Sequence, residues 1–228
     1  MSQIDFEQQP FGDARFAENP ENRCAVVLVL DTSGSMAGQR IQELNAGLQT
    51  FRDELFSDSL ASKRVEVAIV TFGPVKVVQD FVSAEAFQPG ELVVDGGTPM
   101  GEAILEALEL VRLRKQQYQA NGVAYYRPWV FLVTDGAPTD DWRPAAKAVK
   151  EAERTKAVAF FPVGVEGADM EVLRQLSVRA PLKLKGLMFR ELFQWLSNSL
   201  SGVSRSQVGE RLLLPAPDTS PAGWARIE

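Results

Sequence analysis

The chain of 228 residues contains no histidine and a single cysteine, Cys24. Without an imidazole, a Ser-His-Asp or Cys-His nucleophilic system is excluded, as is zinc held by histidine. A lone thiol makes no internal disulfide. The sequence also lacks an apolar run of spanning length and a basic segment leading into an apolar core of the signal-peptide kind, so the cytoplasm is the expected compartment and no membrane insertion is expected. Basic excess is missing too: 24 Lys and Arg stand against 30 Asp and Glu, for a net charge of −6 and a pI near 5.0. With no basic cluster to interrupt that average, a nucleic-acid or anionic-membrane surface is disfavoured. No Gly-x-x-x-x-Gly-Lys-Ser/Thr loop occurs, which argues against nucleotide hydrolysis. What remains is enough chain for one α/β domain that buries its own core.

Its centre is the stretch Asp31-Thr32-Ser33-Gly34-Ser35, which follows the apolar run 24–30. That run is β-branched and continuous, the pattern of a strand buried on both faces. A carboxylate and two hydroxyls at i, i+2 and i+4 in a Gly-kinked loop offer hard oxygen ligands suited to Mg²⁺ or Mn²⁺. Ile41, Leu44, Leu48, Phe51 and Leu55 then recur at helical spacing. A strand at 65–72 turns through Gly73-Pro74 into a second at 75–81, too tight for a crossover, so the pair is antiparallel with the second strand at the sheet edge. The loop Asp95-Gly96-Gly97-Thr98-Pro99-Met100-Gly101 leads into a helix to about residue 120, with Thr98 expected at its N-cap and Ile104, Leu105, Leu108 and Val111 inward.

The run 129–134 is another buried strand, and like the first it delivers an aspartate, Asp135, at its carboxyl end. A helix (143–156), a strand (157–164), a short helix (169–177), a short edge strand (182–184) and a helix carrying Leu187, Leu192, Phe193, Leu196 and Leu200 follow. Residues 1–22 read as an irregular arm tacked down by Phe6, Phe11 and Phe16; 23–203 form the domain; 204–228 are a Pro-rich tail, docked through Trp224 and Ile227. The expected fold is α/β: a doubly wound, mostly parallel, six-stranded sheet with one antiparallel edge hairpin and helices on both faces. Ligands in such sheets sit at the carboxyl ends of strands where the order reverses, so the loops carrying Asp31, Thr98 and Asp135 should converge there.

Together, Asp31-Thr32-Ser33-Gly34-Ser35, the later Gly-Gly-Thr-Pro-Met-Gly and Val-Thr-Asp-Gly resemble the metal-ion-dependent adhesion site of the von Willebrand factor type A family, in that family's order and over roughly 24–203. The wording of 126–129 and 134–140, with the short Trp-containing tail, is similar to its bacterial TerY-like branch, associated with tellurite-resistance and stress gene clusters. The resemblance implies a Rossmann-like domain and a non-catalytic module that binds a protein. It implies that Ser33, Ser35 and Thr98 give hydroxyl oxygens to Mg²⁺ or Mn²⁺, that Asp31 and Asp135 hold the ion directly or through water, and that a partner's Asp or Glu completes the shell. Its branch implies a protein kinase and a metal-dependent protein phosphatase as neighbours.

The same residues have plainer readings. Ser33, Ser35 and Thr98 are residue types that cap helices, and Asp140 and Asp141 suit the cap of the helix after them. Tyr125, Tyr126 and Trp142 are candidates for a recognition rim, or simply for packing. The rival function is a Mg²⁺-dependent phosphatase of the haloacid-dehalogenase type with Asp31 as nucleophile. That chemistry wants a second aspartate two residues on as general acid, where this chain has Ser33, and a serine does not shuttle protons near neutral pH.

Overall fold

In the computed structural model of the protein, residue 16, residues 18–210 and residues 213–227 are described. The expectations for Phe6, Phe11 and most of the 1–22 arm lie outside them. β1 (Cys24–Asp31) alternates Val26, Leu28 and Leu30 toward one face and Ala25, Val27 and Val29 toward the other, and both faces are buried, hence its unbroken apolar sequence. A 3-10 turn at Gly34–Met36 leads to α1 (Gln39–Ser57), followed by the single turn α2 (Ala61–Arg64). β2 (Val65–Phe72) runs parallel to β1, and β3 (Lys76–Ser83) returns antiparallel along the sheet edge. Then come α3 (Met100–Ala120), β4 (Trp129–Thr134), α4 (Arg143–Arg154), β5 (Ala159–Gly164), α5 (Met170–Leu176), β6 (Leu182–Leu184), α6 (Phe189–Arg205) and β7 (Ala225–Ile227).

The strand order is β3-β2-β1-β4-β5-β6-β7. Chain order therefore reverses between β1 and β4, and the crevice at their carboxyl ends is where such a sheet receives ligands. One face is covered by α1 and α6 and the other by α3, α4 and α5, so the expected doubly wound α/β sheet is present. Close packing of α1 on α6 depends on Gly47: a Cβ there would lie 2.7 Å from the Phe193 ring.

Four expectations need correction. Among the described residues the sheet has seven strands where the pattern predicts six, because the tail supplies β7, antiparallel to β6. β6 is accordingly an inner strand. Trp224 is buried and packs 5.7 Å from Trp195, whereas Ile227 is 63 % exposed and contributes through its strand pairing with Leu182. In α3, Leu105 faces solvent, and the buried positions further along are Arg114 and Tyr118.

Those two residues belong to a buried polar cluster. Glu66 on β2 takes hydrogen bonds from Arg23 (3.1 Å), from Arg114 at both oxygens (2.8 Å each) and from the Tyr118 hydroxyl. Phe16 lies 4.9 Å from the Arg114 guanidinium and edge-on to Tyr118, so the end of the arm is fixed on this cluster. Burial and the Glu66 charge push the Tyr118 phenol well above its ordinary pKa.

Candidate metal centre

Parallel register sets Leu30 beside Val133, so the next residues on each strand, Asp31 and Thr134, emerge together at the switch point. Asp31 is fully buried. Its Oδ1 accepts from the Ser33 amide at 2.8 Å and its Oδ2 accepts from the Thr134 hydroxyl. Burial raises its pKa above the usual carboxylate range, opposed by these hydrogen bonds and reinforced by the nearby Asp135 charge. Asp31 thus braces the start of its own loop. Thr134, which the motif reading passes over, also accepts from the Gly136 amide at 3.2 Å, so one hydroxyl orders both aspartate loops.

The hydroxyl of Ser35 donates to Asp135 Oδ1 at 2.6 Å across 100 residues of sequence, and Ser33 Oγ is 3.1 Å from Ser35 Oγ. Neither serine side chain caps a helix: Ser33 stands at the N-cap of the 3-10 turn without a side-chain hydrogen bond to it, and Ser35 lies inside that turn. Thr98 reaches the same crevice from the third loop. A Cβ placed on Gly136 would stand 3.7 Å from Thr98 Oγ1 and 3.8 Å from Ser35 Oγ, so this glycine leaves open the space that the two hydroxyls flank. Ser33, Thr98 and Asp135 are buried and Ser35 is exposed, which marks the mouth.

Backbone contacts fix the three loops to one another. Gly34 N donates to Gly96 O at 3.1 Å, Asp95 N to Thr32 O at 2.7 Å, and Thr139 N to Thr98 O at 2.9 Å. Gly73, at φ +128°, lies so close to these loops that a Cβ would meet Asp95 O at 2.4 Å and Ser33 N at 2.9 Å. Thr98 precedes Pro99, the N-cap of α3, and is not itself the cap. The cap's work falls to Asp140, whose Oδ1 and Oδ2 accept from Gly101 N (3.1 Å) and Glu102 N (2.8 Å), so it serves α3 and not the following α4. Asp141 does accept from Arg143 N, at 3.2 Å, in the first turn of α4.

Of the three rim candidates, only Trp142 is at this end: its Cα would lie 2.8 Å from a Cβ on Gly101. Tyr125 and Tyr126 stand just before β4 begins. They pair with Arg23 ahead of β1, and the Tyr126 hydroxyl donates to Ser206 O at 2.6 Å. Strand direction therefore puts both tyrosines at the opposite end of the sheet, as packing residues.

Asp135 Oδ2 is buried and has no hydrogen-bond partner. The Arg40 guanidinium, unremarked in the sequence, lies 3.4 Å away as an ion pair without the alignment of a hydrogen bond. Three hydroxyls and two carboxylates thus converge around one incompletely satisfied oxygen. Among the described residues no cluster of three or more carboxylate, thiol or imidazole side chains is placed to hold a metal ion, here or elsewhere, so an ion at this crevice would draw on the hydroxyls as well.

The sequence model of the von Willebrand factor type A domain matches residues 25–190. Among solved structures, proximal thread matrix protein 1 from the mussel byssus is similar with a TM-score of 0.54 at 16 % identity, covering 80 % of this chain and 49 % of that one. The SpRpn10 VWA domain gives a TM-score of 0.49 at 15 % identity over 68 % of this chain and 80 % of that one. The pilus adhesin SpaC of Lactobacillus rhamnosus GG gives 0.42 at 20 % identity over 53 % and 16 %. The chain thus spans about half of the byssus protein and less than a fifth of the adhesin. At 16 % identity the likeness to the byssus protein is one of fold. No curated protein matches the chain.

Proposed function

The chain belongs to the von Willebrand factor type A family, and from that membership we propose that it is a non-catalytic protein-binding module that works through a bound Mg²⁺ or Mn²⁺. Ser33, Ser35 and Thr98 supply hydroxyl oxygens to the ion, and Asp135 and Asp31 supply the negative charge, directly or through water. The supporting observation is the convergence of these side chains on the β1/β4 switch point, with Asp135 Oδ2 buried and accepting no hydrogen bond. All the donors are hard oxygens, the set that suits these ions and not zinc.

Neutral hydroxyls leave part of a divalent charge uncompensated, and an octahedral ion prefers six oxygens. A carboxylate from a partner protein fits the remaining demand, so ion and partner each raise the other's affinity. Trp142 stands beside the crevice as a rim residue for that partner. The wording of 126–129 and 134–140 carries the narrower proposal: a bacterial cytoplasmic protein of the TerY-like branch, in a stress or tellurite-resistance system that includes a kinase and a metal-dependent phosphatase. A phosphatase reading of this chain itself has less support, because Asp31 is fully buried and both its oxygens are engaged.

The test is a calorimetric titration of Mn²⁺ into metal-stripped protein, on wild type and on Ser35→Ala. Binding by wild type that is lost in the variant is the expected result. Equal binding by both would remove Ser35 from the ligand set and turn attention to an assay for phosphatase activity.

A further inference from the structure

Arg40 occupies the first turn of α1, where a cation opposes the helix dipole, so the helix gives no reason for its placement. Its contacts all point into the loop cluster. Nη1 donates to Ser35 O at 3.0 Å and stands 3.4 Å from Asp135 Oδ2, while Nη2 reaches Glu166 O at 3.4 Å. One side chain thereby spans the loops after β1, β4 and β5. It forms the only ion pair recorded for either Asp31 or Asp135 among the described residues. Its side chain is 35 % exposed against 1 % for that of Asp135, so it has an open path into solvent where its partner has none.

We propose that Arg40 is a built-in counter-cation of the site, competing with the divalent ion for the charge of Asp135 and thereby setting the ion affinity. The inference rests on the metal-site reading above. Two buried carboxylates side by side destabilise the ion-free protein unless positive charge stands near them, and the guanidinium supplies it. When Mg²⁺ or Mn²⁺ enters beside Ser35 and Asp135, the same guanidinium repels it, and relief comes by swinging outward. Two consequences follow. The protein keeps its loops assembled without metal, and it binds metal more weakly than its oxygen donors alone would allow. Affinity is then low until a partner carboxylate adds its own charge, which makes capture of ion and partner a joint event.

The experiment is Mn²⁺ titration by calorimetry, with thermal melts of the metal-stripped proteins, on wild type, Arg40→Gln and Arg40→Lys. Glutamine removes the charge and keeps a polar side chain at this partly exposed helix position. Removing a unit charge a few ångströms from a divalent ion should tighten Mn²⁺ binding about tenfold at low salt, and the gap should narrow as salt screens it. The metal-free melting temperature of Arg40→Gln should fall while its metal-saturated one does not, and Arg40→Lys should stay near wild type. Wild-type binding with an equal or weaker affinity in Arg40→Gln overturns the counter-cation role and leaves the metal site standing. Binding by Arg40→Gln alone supports the role, and binding by neither protein removes both the site and the role.

Discussion

Thr134→Val tests whether the two aspartate loops are held by one hydroxyl. Valine keeps the shape and the β-branched preference of the strand end, so packing is conserved while Oγ1 is lost. The substitution strips Asp31 Oδ2 of its donor and leaves the Gly136 amide without its acceptor. A hydrogen bond to a charged group contributes about 1.5–3 kcal/mol, and a buried carboxylate cannot recover it from water; the half-exposed Gly136 amide can, and adds little. A net loss of about 2–3 kcal/mol corresponds to a fall in melting temperature of about 4–12 °C for a domain of this size.

The loss should depend on pH with a definite sign. Asp31 already titrates above its ordinary value, and a group whose folded pKa is raised gives stability that is complete below the unfolded pKa and lost as pH rises through the folded one. Removing the Thr134 donor raises the folded value further, so protonation relieves more strain in the variant than in wild type. Melts of metal-stripped protein should show the full deficit near pH 7 and a smaller one near pH 5. A melting temperature unchanged at pH 7, or a deficit that stays constant with pH, would refute the bracing role.

Asp140→Ala should lower stability by about 1–2 kcal/mol, because it removes the acceptor for two amides at the start of α3; Mn²⁺ titration should weaken with it, since Thr98 sits two residues before that helix, and an unchanged melt would remove the capping role. Glu66→Ala leaves the Arg23 and Arg114 guanidinia buried without their counter-ion and should cost about 3–5 kcal/mol in urea unfolding, with Glu66→Gln less severe; a loss under about 1 kcal/mol would show that the two arginines find other partners.

The order of the long strands and helices, the β3 edge hairpin and the placing of three loops at the carboxyl ends of strands follow from local pattern. A run such as 24–30 has to be buried on both faces, and alternation of such runs with amphipathic helices admits few topologies. That Asp31, Ser33, Ser35, Thr98 and Asp135 lie in loops past strand ends is legible, because their spacing around Gly and Pro marks such loops. What spacing could not carry was the partner of each polar group. Asp140 suits the cap of the helix next to it in sequence, yet it caps α3, because loop closure brings Gly101 nearer than the amides that follow. Tyr125 and Tyr126 precede a strand whose far end holds the site, and only strand direction separates the two ends. The seventh strand comes from a tail segment of three residues, too short for any periodicity and stable only against β6. Arg40 is one of many charged residues on an amphipathic helix until the chain folds and sets its guanidinium against Asp135. Local periodicity and turn chemistry are written residue by residue, whereas the pairing of charges across 100 residues is a property of the assembled sheet alone.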